Sequence, residues 1–413
     1  MKIYGCIGKK LTHSFSREIH GRLADYDYQL IELDEQQLPG FLEQKAFAAI
    51  NVTIPYKQVV IPYLDQISPI AREIGAVNTI VNRDGRLCGY NTDYHGLRAL
   101  ILRLGLELKG RKVLILGTGG TSKTARVVAR DLGASQILTV SRTASGEQIS
   151  YAQAAEDHAD AQVIINTTPA GMYPDCGGRP MDIGGFDRLE GVVDVVYNPL
   201  CTNLVLDARA RGIPAQGGLY MLVMQAVVAV EKFLDTTIDK AVADRVYAQV
   251  LSAKENVVLT GMPGSGKSTV GRLLELEGFS FVDTDAQIEK RCGCTIRQLI
   301  EEKGEGYFRD LETEVIREIA ASSCQVIATG GGAILRPENV RSLKQNGKLY
   351  FLDADLKRLQ ATDSRPLSDT WDKLKGLYDQ RIGIYRATAD VTVPELDAAR
   401  EAAYILKMRE ENL

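Results

Sequence analysis

Residues 261–268 read GMPGSGKS. Glycines, a lysine and a hydroxyl at that spacing suit one chemistry, the grip on a nucleoside triphosphate. The glycines let successive backbone N–H groups, here those of Gly264, Ser265, Gly266 and Thr269, curl round phosphate oxygens. Lys267 reaches the β- and γ-phosphates, and Ser268 can ligate Mg²⁺. The flanks are what such a loop needs. Val257–Thr260 is a short β-branched run suited to a buried strand, and TVGRLLELEG, from Thr269, has helical spacing. A Gly-rich turn without a ligand would not require that strand–loop–helix order.

A second glycine turn stands earlier. From Lys112, KVLILGTGGTSKTARVVARDLGA reads as strand, turn and helix, and ILTVSR supplies the next strand. Gly117-x-Gly119-Gly120 departs from G-x-G-x-x-G because Ser122 holds the third glycine position. The following strand ends in Ser141-Arg142-Thr143, where an NAD site places an acid on the ribose 2′-hydroxyl. A guanidinium and a hydroxyl suit a 2′-phosphate, so these residues favour NADP over NAD. The plainer reading of Arg142 is a solvated loop arginine.

Both loops need sheets to hold them. Apolar β-rich runs alternate with helical runs along all 413 residues, predicting an α/β chain of parallel sheets with helices on both faces. AVADRVYAQVL (Ala241–Leu251) reads as a closing amphipathic helix, which puts a domain boundary near Ser252–Asn256. An α/β unit then covers about the first hundred residues, a dinucleotide unit runs to about residue 218, and a P-loop unit starts near 255. The helical stretch Leu219–Leu251 could join either of the first two. Its most apolar part, Leu219–Val230, is too short to cross a bilayer and is interrupted by Gln225, so it reads as a buried helix.

The 45% hydrophobic, 25% charged mix is that of ordinary soluble protein. A net charge of −4 and a pI near 5.8 exclude a global basic field that would attract nucleic acid. The opening MKIYGCIGKKL alternates like a strand and lacks a signal peptide's apolar core. Seven scattered cysteines, an odd count, argue against a disulfide framework. A reducing cytoplasm is therefore expected, with small-molecule substrates and no nucleic-acid or membrane partner. Cys292 and Cys294 form a lone C-G-C, and no metal is expected there. Oligomeric state is not legible.

The first 250 residues resemble shikimate dehydrogenase along their whole length. The resemblance is carried by HSFSREIH (His13–His20), NVTIPYK (Asn51–Lys57), GAVNT (Gly75–Thr79), NTD (Asn91–Asp93), GTGGTS (Gly117–Ser122), SRT and GGLYMLVMQA (Gly217–Ala226). It implies a split substrate domain, residues 1–100 with 219–251, clasping a Rossmann NADP-binding domain over 101–218. Chemistry points the same way. Hydride delivery to a ketone leaves charge growing on oxygen, which needs a proton donor in reach. Lys57 ends a strand-like NVTIP segment and Asp93 opens a helix after a tight turn, so a lysine can donate while a carboxylate holds it. The resemblance assigns those roles to the pair. It also implies that Ser14 and Ser16 hold the substrate carboxylate, while Thr53, Asn78, Asp93, Tyr197 and Gln225 bond its hydroxyls or carbonyl. The dinucleotide would lie on Gly117, Gly119, Gly120, Thr121 and Ser122, with Arg142 and Thr143 at one end and Val195 and Gly218 at the other. The family often adds a cation a few residues after SRT, where this chain has Ser145-Gly146-Glu147; Arg142 is left as the main cation.

Residues 255–413 resemble shikimate kinase, a P-loop α/β domain like the nucleoside-monophosphate kinases. The shared segments are GMPGSGKSTVGR, DTD (Asp283–Asp285), EKRCG, GEGYFRDLE (Gly304–Glu312), GGG (Gly330–Gly332), SRPL (Ser364–Leu367) and QRIGIYR (Gln380–Arg386). Phosphoryl transfer asks for charge neutralisation and in-line positioning. Lys267 and Arg365 can stabilise the transferring group, Ser268 and Asp283 can organise Mg²⁺, and Asp285 can orient the acceptor hydroxyl. By resemblance, Arg309 and Arg381 fork onto a shikimate carboxylate, Gly331 allows close backbone approach, and KRLQATDSRPL forms a lid in which Arg358 stacks on adenine. Where relatives place another Leu after Leu367, this chain has SDTWDK. Together the halves imply a bifunctional enzyme using NADPH, ATP and Mg²⁺, which makes shikimate and then phosphorylates it. Two rivals stand beside it. The first half could be a broader NAD-using quinate/shikimate dehydrogenase, or the whole chain a non-catalytic metabolite sensor. Intact Lys57, Asp93, Lys267, Asp283 and Arg365 argue against the sensor.

Overall fold

The computed structural model describes residues 3–11, 15–359 and 370–411. The chain divides into two compact units, residues 1–250 and 251–413. A single residue, Glu255, separates the helix Lys240–Lys254 from the strand that follows it.

The first unit contains two sheets. One is built from β1 (Ile3–Gly8), β2 (Tyr28–Glu32), β3 (Phe47–Val52), β4 (Gln66–Ile67), β5 (Thr79–Arg83) and β6 (Arg86–Tyr90), in the order β2-β1-β3-β5-β6-β4. The expectation of purely parallel sheets fails here. β5 runs antiparallel to both β3 and β6. The cause is local: Asp84 and Gly85 have φ of 51° and 86°, the left-handed pair that closes a two-residue hairpin. The Asp-Gly step between two apolar runs carried that signal.

The second sheet holds β7 (Lys112–Leu116), β8 (Gln136–Val140), β9 (Val163–Asn166), β10 (Gly191–Asp194) and β11 (Ala215–Gln216), in the order β11-β10-β9-β7-β8, all parallel. From β7 the chain goes one way to β8, and from β9 onward the other way. The crevice at that switch point, beyond the strands' carboxyl ends, is where such sheets take ligands.

After β11 the chain returns to the first sheet. Helix Leu219–Leu234 places Ala229 and Phe233 in a core with Cys6, Tyr28, Ala49 and Val81. Each large apolar side chain so buried contributes about 1.5–3 kcal/mol. No described helix is long and apolar enough to cross a membrane.

The second unit is a parallel sheet of β12 (Asn256–Thr260), β13 (Ser280–Asp283), β14 (Gln325–Ala328), β15 (Gly347–Leu352) and β16 (Val391–Val393), ordered β13-β14-β12-β15-β16. All five residues of β12 are buried, which explains its unbroken apolar run. It aims straight into the phosphate loop.

Candidate active sites

Lys57 does not end a strand as the sequence suggested. β3 stops at Val52, because Pro55 has no N–H to continue a ladder. The chain instead turns, with Tyr56 N–H donating to the Thr53 carbonyl at 2.9 Å and Val60 N–H to Tyr56 at 3.1 Å. The Lys57 carbonyl is pinned by Val77 N–H at 2.7 Å. Asp93 is the first residue of helix Asp93–Arg103, where a carboxylate is favoured by the helix dipole. The two meet: Lys57 Nζ donates to Asp93 Oδ2 at 2.6 Å, with side chains 19% and 11% exposed.

Around this pair the structure collects Asn78 and Gln225. Asn78 Oδ1 accepts from Thr92 N–H at 2.7 Å, and Thr92 Oγ1 lies 3.4 Å from Gln225 Oε1. Gln225 reaches across from another helix because Gly96 lets the two approach. A Cβ there would lie 2.5 Å from the Met221 carbonyl oxygen. Gly96 was missed, although a glycine inside a helical pattern was its signal. Thr53 is half-buried, and its N–H donates to Ile7. Ser16 opens helix Ser16–Leu23 and hydrogen-bonds the Tyr28 hydroxyl. Tyr197 packs edge-on against Phe15, ring centres 5.2 Å apart, and burial pushes its phenol pKa up. Ser14 lies outside the described residues.

Lys57 also lines a cleft of about 1050 Å³ shared with Gly117–Thr121, Arg142 and Thr143. Lys57 and the glycine turn therefore face one concavity. Gly117 has φ 106°, and a Cβ there would press to 2.9 Å from Thr167 Oγ1. Gly119 precedes helix Gly120–Asp131 with open space beside both residues, so backbone N–H groups are free to meet an anion. Ser122, in the third glycine position, is buried within that helix. Arg142 and Thr143 are exposed past β8. A further cation that sequence did not reveal, Arg179, lines the same cleft from the loop after β9, tethered to Asp207 at 3.1 Å.

Asp194 was also missed. Fully buried, it accepts from Asn166 Nδ2 at 2.9 Å, Val196 N–H at 3.0 Å and Thr202 Oγ1 at 2.7 Å, shaping the turn that carries Val195 and Tyr197. Burial raises its pKa to about 6. Gly218 closes on that turn, since a Cβ would meet the Val195 carbonyl oxygen at 2.2 Å.

In the second unit Gly261, Gly264 and Gly266 take φ of 148°, 86° and 90°, conformations that L side chains avoid. Lys267 Nζ donates to the carbonyls of Gly261 at 2.8 Å and Met262 at 2.9 Å, Ser265 is buried and Thr269 exposed. Ser268 Oγ donates to Asp283 Oδ2 at 2.9 Å, while Asp283 Oδ1 caps the next helix through Asp285 N–H at 3.0 Å. A hydroxyl beside a carboxylate at a phosphate loop is a fitting donor set for Mg²⁺.

Asp285 is half-buried, and its pKa is pushed up to about 6, first by burial and then by Asp283 and Glu312, against Lys267 and Arg309. Arg309 is held by two carboxylates of its own helix. Its Nη1 donates to fully buried Glu312 at 2.8 Å, and Nη2 to Glu305 at 3.1 Å. Arg381 Nη1 and the Tyr385 hydroxyl both donate to the Gly331 carbonyl, at 3.0 and 2.5 Å. The triple glycine is required beyond its central member. A Cβ on Gly330 would sit 2.4 Å from Asp285 Oδ1, and one on Gly332 2.4 Å from the Arg309 guanidinium. Arg358 ends a short 3₁₀ turn, Leu356–Arg358; Arg365 and the lid segment from residue 360 lie outside the described residues.

These two constellations have counterparts. The family model of the shikimate dehydrogenase substrate-binding domain matches residues 6–80, and that of shikimate kinase matches residues 263–409. A shikimate dehydrogenase (NADP(+)) of Clostridium beijerinckii is 35% identical over 265 residues, 60% of this chain and 97% of that protein. The chain belongs to the shikimate dehydrogenase family, with a shikimate kinase domain behind it. A chorismate mutase/shikimate 5-dehydrogenase fusion protein from Clostridium acetobutylicum matches 60% of this chain and 97% of its own at 35% identity, with a TM-score of 0.58. Shikimate 5-dehydrogenase from Thermus thermophilus, solved with NADP(H) and shikimate, covers 60% of this chain and 99% of its own at 28% identity, with a TM-score of 0.55. The protein is thus a bifunctional shikimate-pathway enzyme, an oxidoreductase and a kinase in one chain. In its dehydrogenase half Lys57, held by Asp93, lines the cleft that also contains the Gly117–Thr121 turn; in its kinase half Asp285 faces the triple glycine.

Proposed function

We propose that the first unit reduces 3-dehydroshikimate to shikimate with NADPH, and that the second transfers the γ-phosphoryl group of ATP to the shikimate 3-hydroxyl. The observation that carries the first half is Lys57, which lines the glycine-turn cleft and lies 2.6 Å from its partner Asp93. Reduced dinucleotide would supply the hydride. Lys57 Nζ gives a proton to the carbonyl oxygen as charge grows there, and Asp93 holds the ammonium in place and bonds a neighbouring hydroxyl. Asn78, Gln225, Thr53, Tyr197, Ser14 and Ser16 complete the substrate's hydrogen bonds. Arg142, with no acid at the end of β8, favours the 2′-phosphate and hence NADP over NAD.

In the kinase unit Lys267 neutralises phosphate charge, and Ser268 with Asp283 would hold Mg²⁺. Asp285, with its raised pKa, accepts the acceptor's proton; Arg309 and Arg381 set the carboxylate end, Gly331 lines the approach, and Arg358 and Arg365 belong to the lid. We assign residues 1–100 with 219–251 to the substrate domain, 101–218 to the NADP domain and 255–413 to the kinase. All seven cysteines are free thiols, which suits a reducing cytoplasm. The test is a mixed assay: purified protein with 3-dehydroshikimate, NADPH and ATP-Mg should yield NADP⁺, ADP and shikimate 3-phosphate. NADPH oxidation without shikimate, or faster turnover with NADH, would overturn the first half. No ADP from added shikimate would overturn the second.

A further inference from the structure

We propose that Thr79 is a positioning residue of the dehydrogenase site, whose hydroxyl braces the Asn78 amide that meets the substrate. The proposal rests on the reading that Asn78 bonds the substrate.

Six buried side chains, Tyr28, Asn51, Thr79, Asn78, Thr92 and Gln225, form one hydrogen-bonded chain beneath the Lys57–Asp93 pair. A backbone N–H can only donate, so the Asn78 atom 2.7 Å from Thr92 N is its carbonyl oxygen. A backbone carbonyl can only accept, so the Asn51 atom 3.3 Å from the Asn78 carbonyl is its nitrogen. With both amides oriented, one assignment of hydrogens carries the chain from Tyr28 to Gln225, and Thr92 Oγ1 lies in addition 3.2 Å from both Thr79 Oγ1 and Asn78 Oδ1. Tyr28 Oη donates to Asn51 Oδ1 at 2.7 Å, and Asn51 Nδ2 to Thr79 Oγ1 at 3.1 Å. Thr79 passes its own hydrogen to Asn78 Oδ1 at 3.2 Å, and Asn78 Nδ2 donates to Thr92 Oγ1 at 3.0 Å. Thr92 donates on to Gln225 Oε1 at 3.4 Å, and Gln225 Nε2 to the Leu222 carbonyl at 2.9 Å.

The direction has a chemical consequence. Both hydrogens of Asn51 are spent inside the protein. Asn78 and Gln225 each keep one N–H, and their carbonyl oxygens are already claimed. The site thus offers donors from these two amides and an acceptor from Asp93, which is a polarity code for substrate oxygens. Thr79 is the hydroxyl that joins the Asn51 and Asn78 side chains, beside Thr92, whose N–H at 2.7 Å and Oγ1 at 3.2 Å also meet Asn78 Oδ1. Removing it leaves one buried Asn51 N–H short of a partner and takes one of three donors from Asn78 Oδ1.

The test compares Thr79→Val, which keeps shape and loses the hydroxyl, with Thr79→Ser, which keeps the hydroxyl, both in the full chain. Wild type is assayed first, so failure to reduce 3-dehydroshikimate condemns the functional reading and not the network. Expected for Thr79→Val is about a tenfold fall in kcat/KM for 3-dehydroshikimate, about 1.4 kcal/mol, mostly as raised KM. The KM for NADPH should not change, and Thr79→Ser should stay within twofold of wild type. Unchanged kcat/KM in Thr79→Val, an equal loss in the serine variant, or a parallel loss of NADPH binding would overturn the proposal. Should Thr79→Val not fold, Thr79→Ala removes the same hydroxyl with a smaller side chain. A fall in kcat/KM supports the network, and wild-type kinetics overturn it.

Discussion

Asp285→Asn should stop phosphoryl transfer and at the same time stabilise the kinase unit. The carboxyl pKa stands at about 6 against an ordinary 3.8, raised by burial and by the neighbouring Asp283 and Glu312. A raised acid pKa means that the folded form holds the proton more tightly than the unfolded chain. Stability is therefore lost as pH rises from 3.8 through about 6, and the penalty is complete above that. Roughly two pKa units at about 1.36 kcal/mol each set an upper bound near 3 kcal/mol, reduced by whatever solvent reaches this half-buried group. The amide removes the charge and keeps the shape, so at pH 8 the variant should melt several degrees higher, at about 2–4 °C per kcal/mol. Its advantage should shrink as pH falls from 6 towards 4. The sequence contains one tryptophan, Trp371, in helix Trp371–Thr388 of the kinase unit, so tryptophan fluorescence reports that unit's melting. Shikimate-dependent ADP release should fall about 10²–10⁴-fold, the usual worth of a general base. A variant less stable than wild type at pH 8, an advantage that does not vary with pH, or normal turnover would refute the reasoning.

Lys57→Met should lower NADPH-dependent reduction by at least about a hundredfold and leave phosphorylation of added shikimate unchanged; retention of more than about a tenth of turnover would remove Lys57 from the role of proton donor. Arg142→Ala should raise the KM for NADPH and not for NADH, whereas Arg179→Ala should raise both, because its loop follows β9, away from the strand end that reads the 2′-phosphate. Steady-state kinetics with the two cofactors separate these outcomes. Gly330→Ala should abolish kinase activity with dehydrogenase intact, since its Cβ would collide with Asp285 and Glu312; ADP release and NADPH oxidation on one preparation check it. Separately expressed fragments 1–250 and 251–413 should each fold and show one activity, which circular dichroism melts and the two assays test.

Where the chemistry depends on neighbours in the chain, sequence sufficed. The phosphate loop, the strand before it and the helix after it are consecutive, so GMPGSGKS specified its own geometry, left-handed glycines included. Asp283 and Asp285 lie two residues apart at a strand exit, and their proximity needed no fold to be legible. The glycine turn at Gly117 and the lack of an acid after β8 were equally local. Other features depended on distance in the chain. Arg179 reaches the cleft beside the Gly117 turn from a loop whose position is set by β9 lying beside β7, and no local pattern encodes a parallel pairing. Asp194 shapes a turn through partners 28 and 8 residues away. Gly330 and Gly332 are glycines because Asp285, Glu312 and Arg309 fill the space a Cβ would take. The antiparallel β5 was readable in Asp84-Gly85, yet the alternation of strands and helices outweighed it. Sequence determined which groups exist and what each can do; side-chain polarity and protonation, as in the Thr79 chain and the raised pKa of Asp285, were decided by burial and by neighbours that only folding brings within hydrogen-bonding distance.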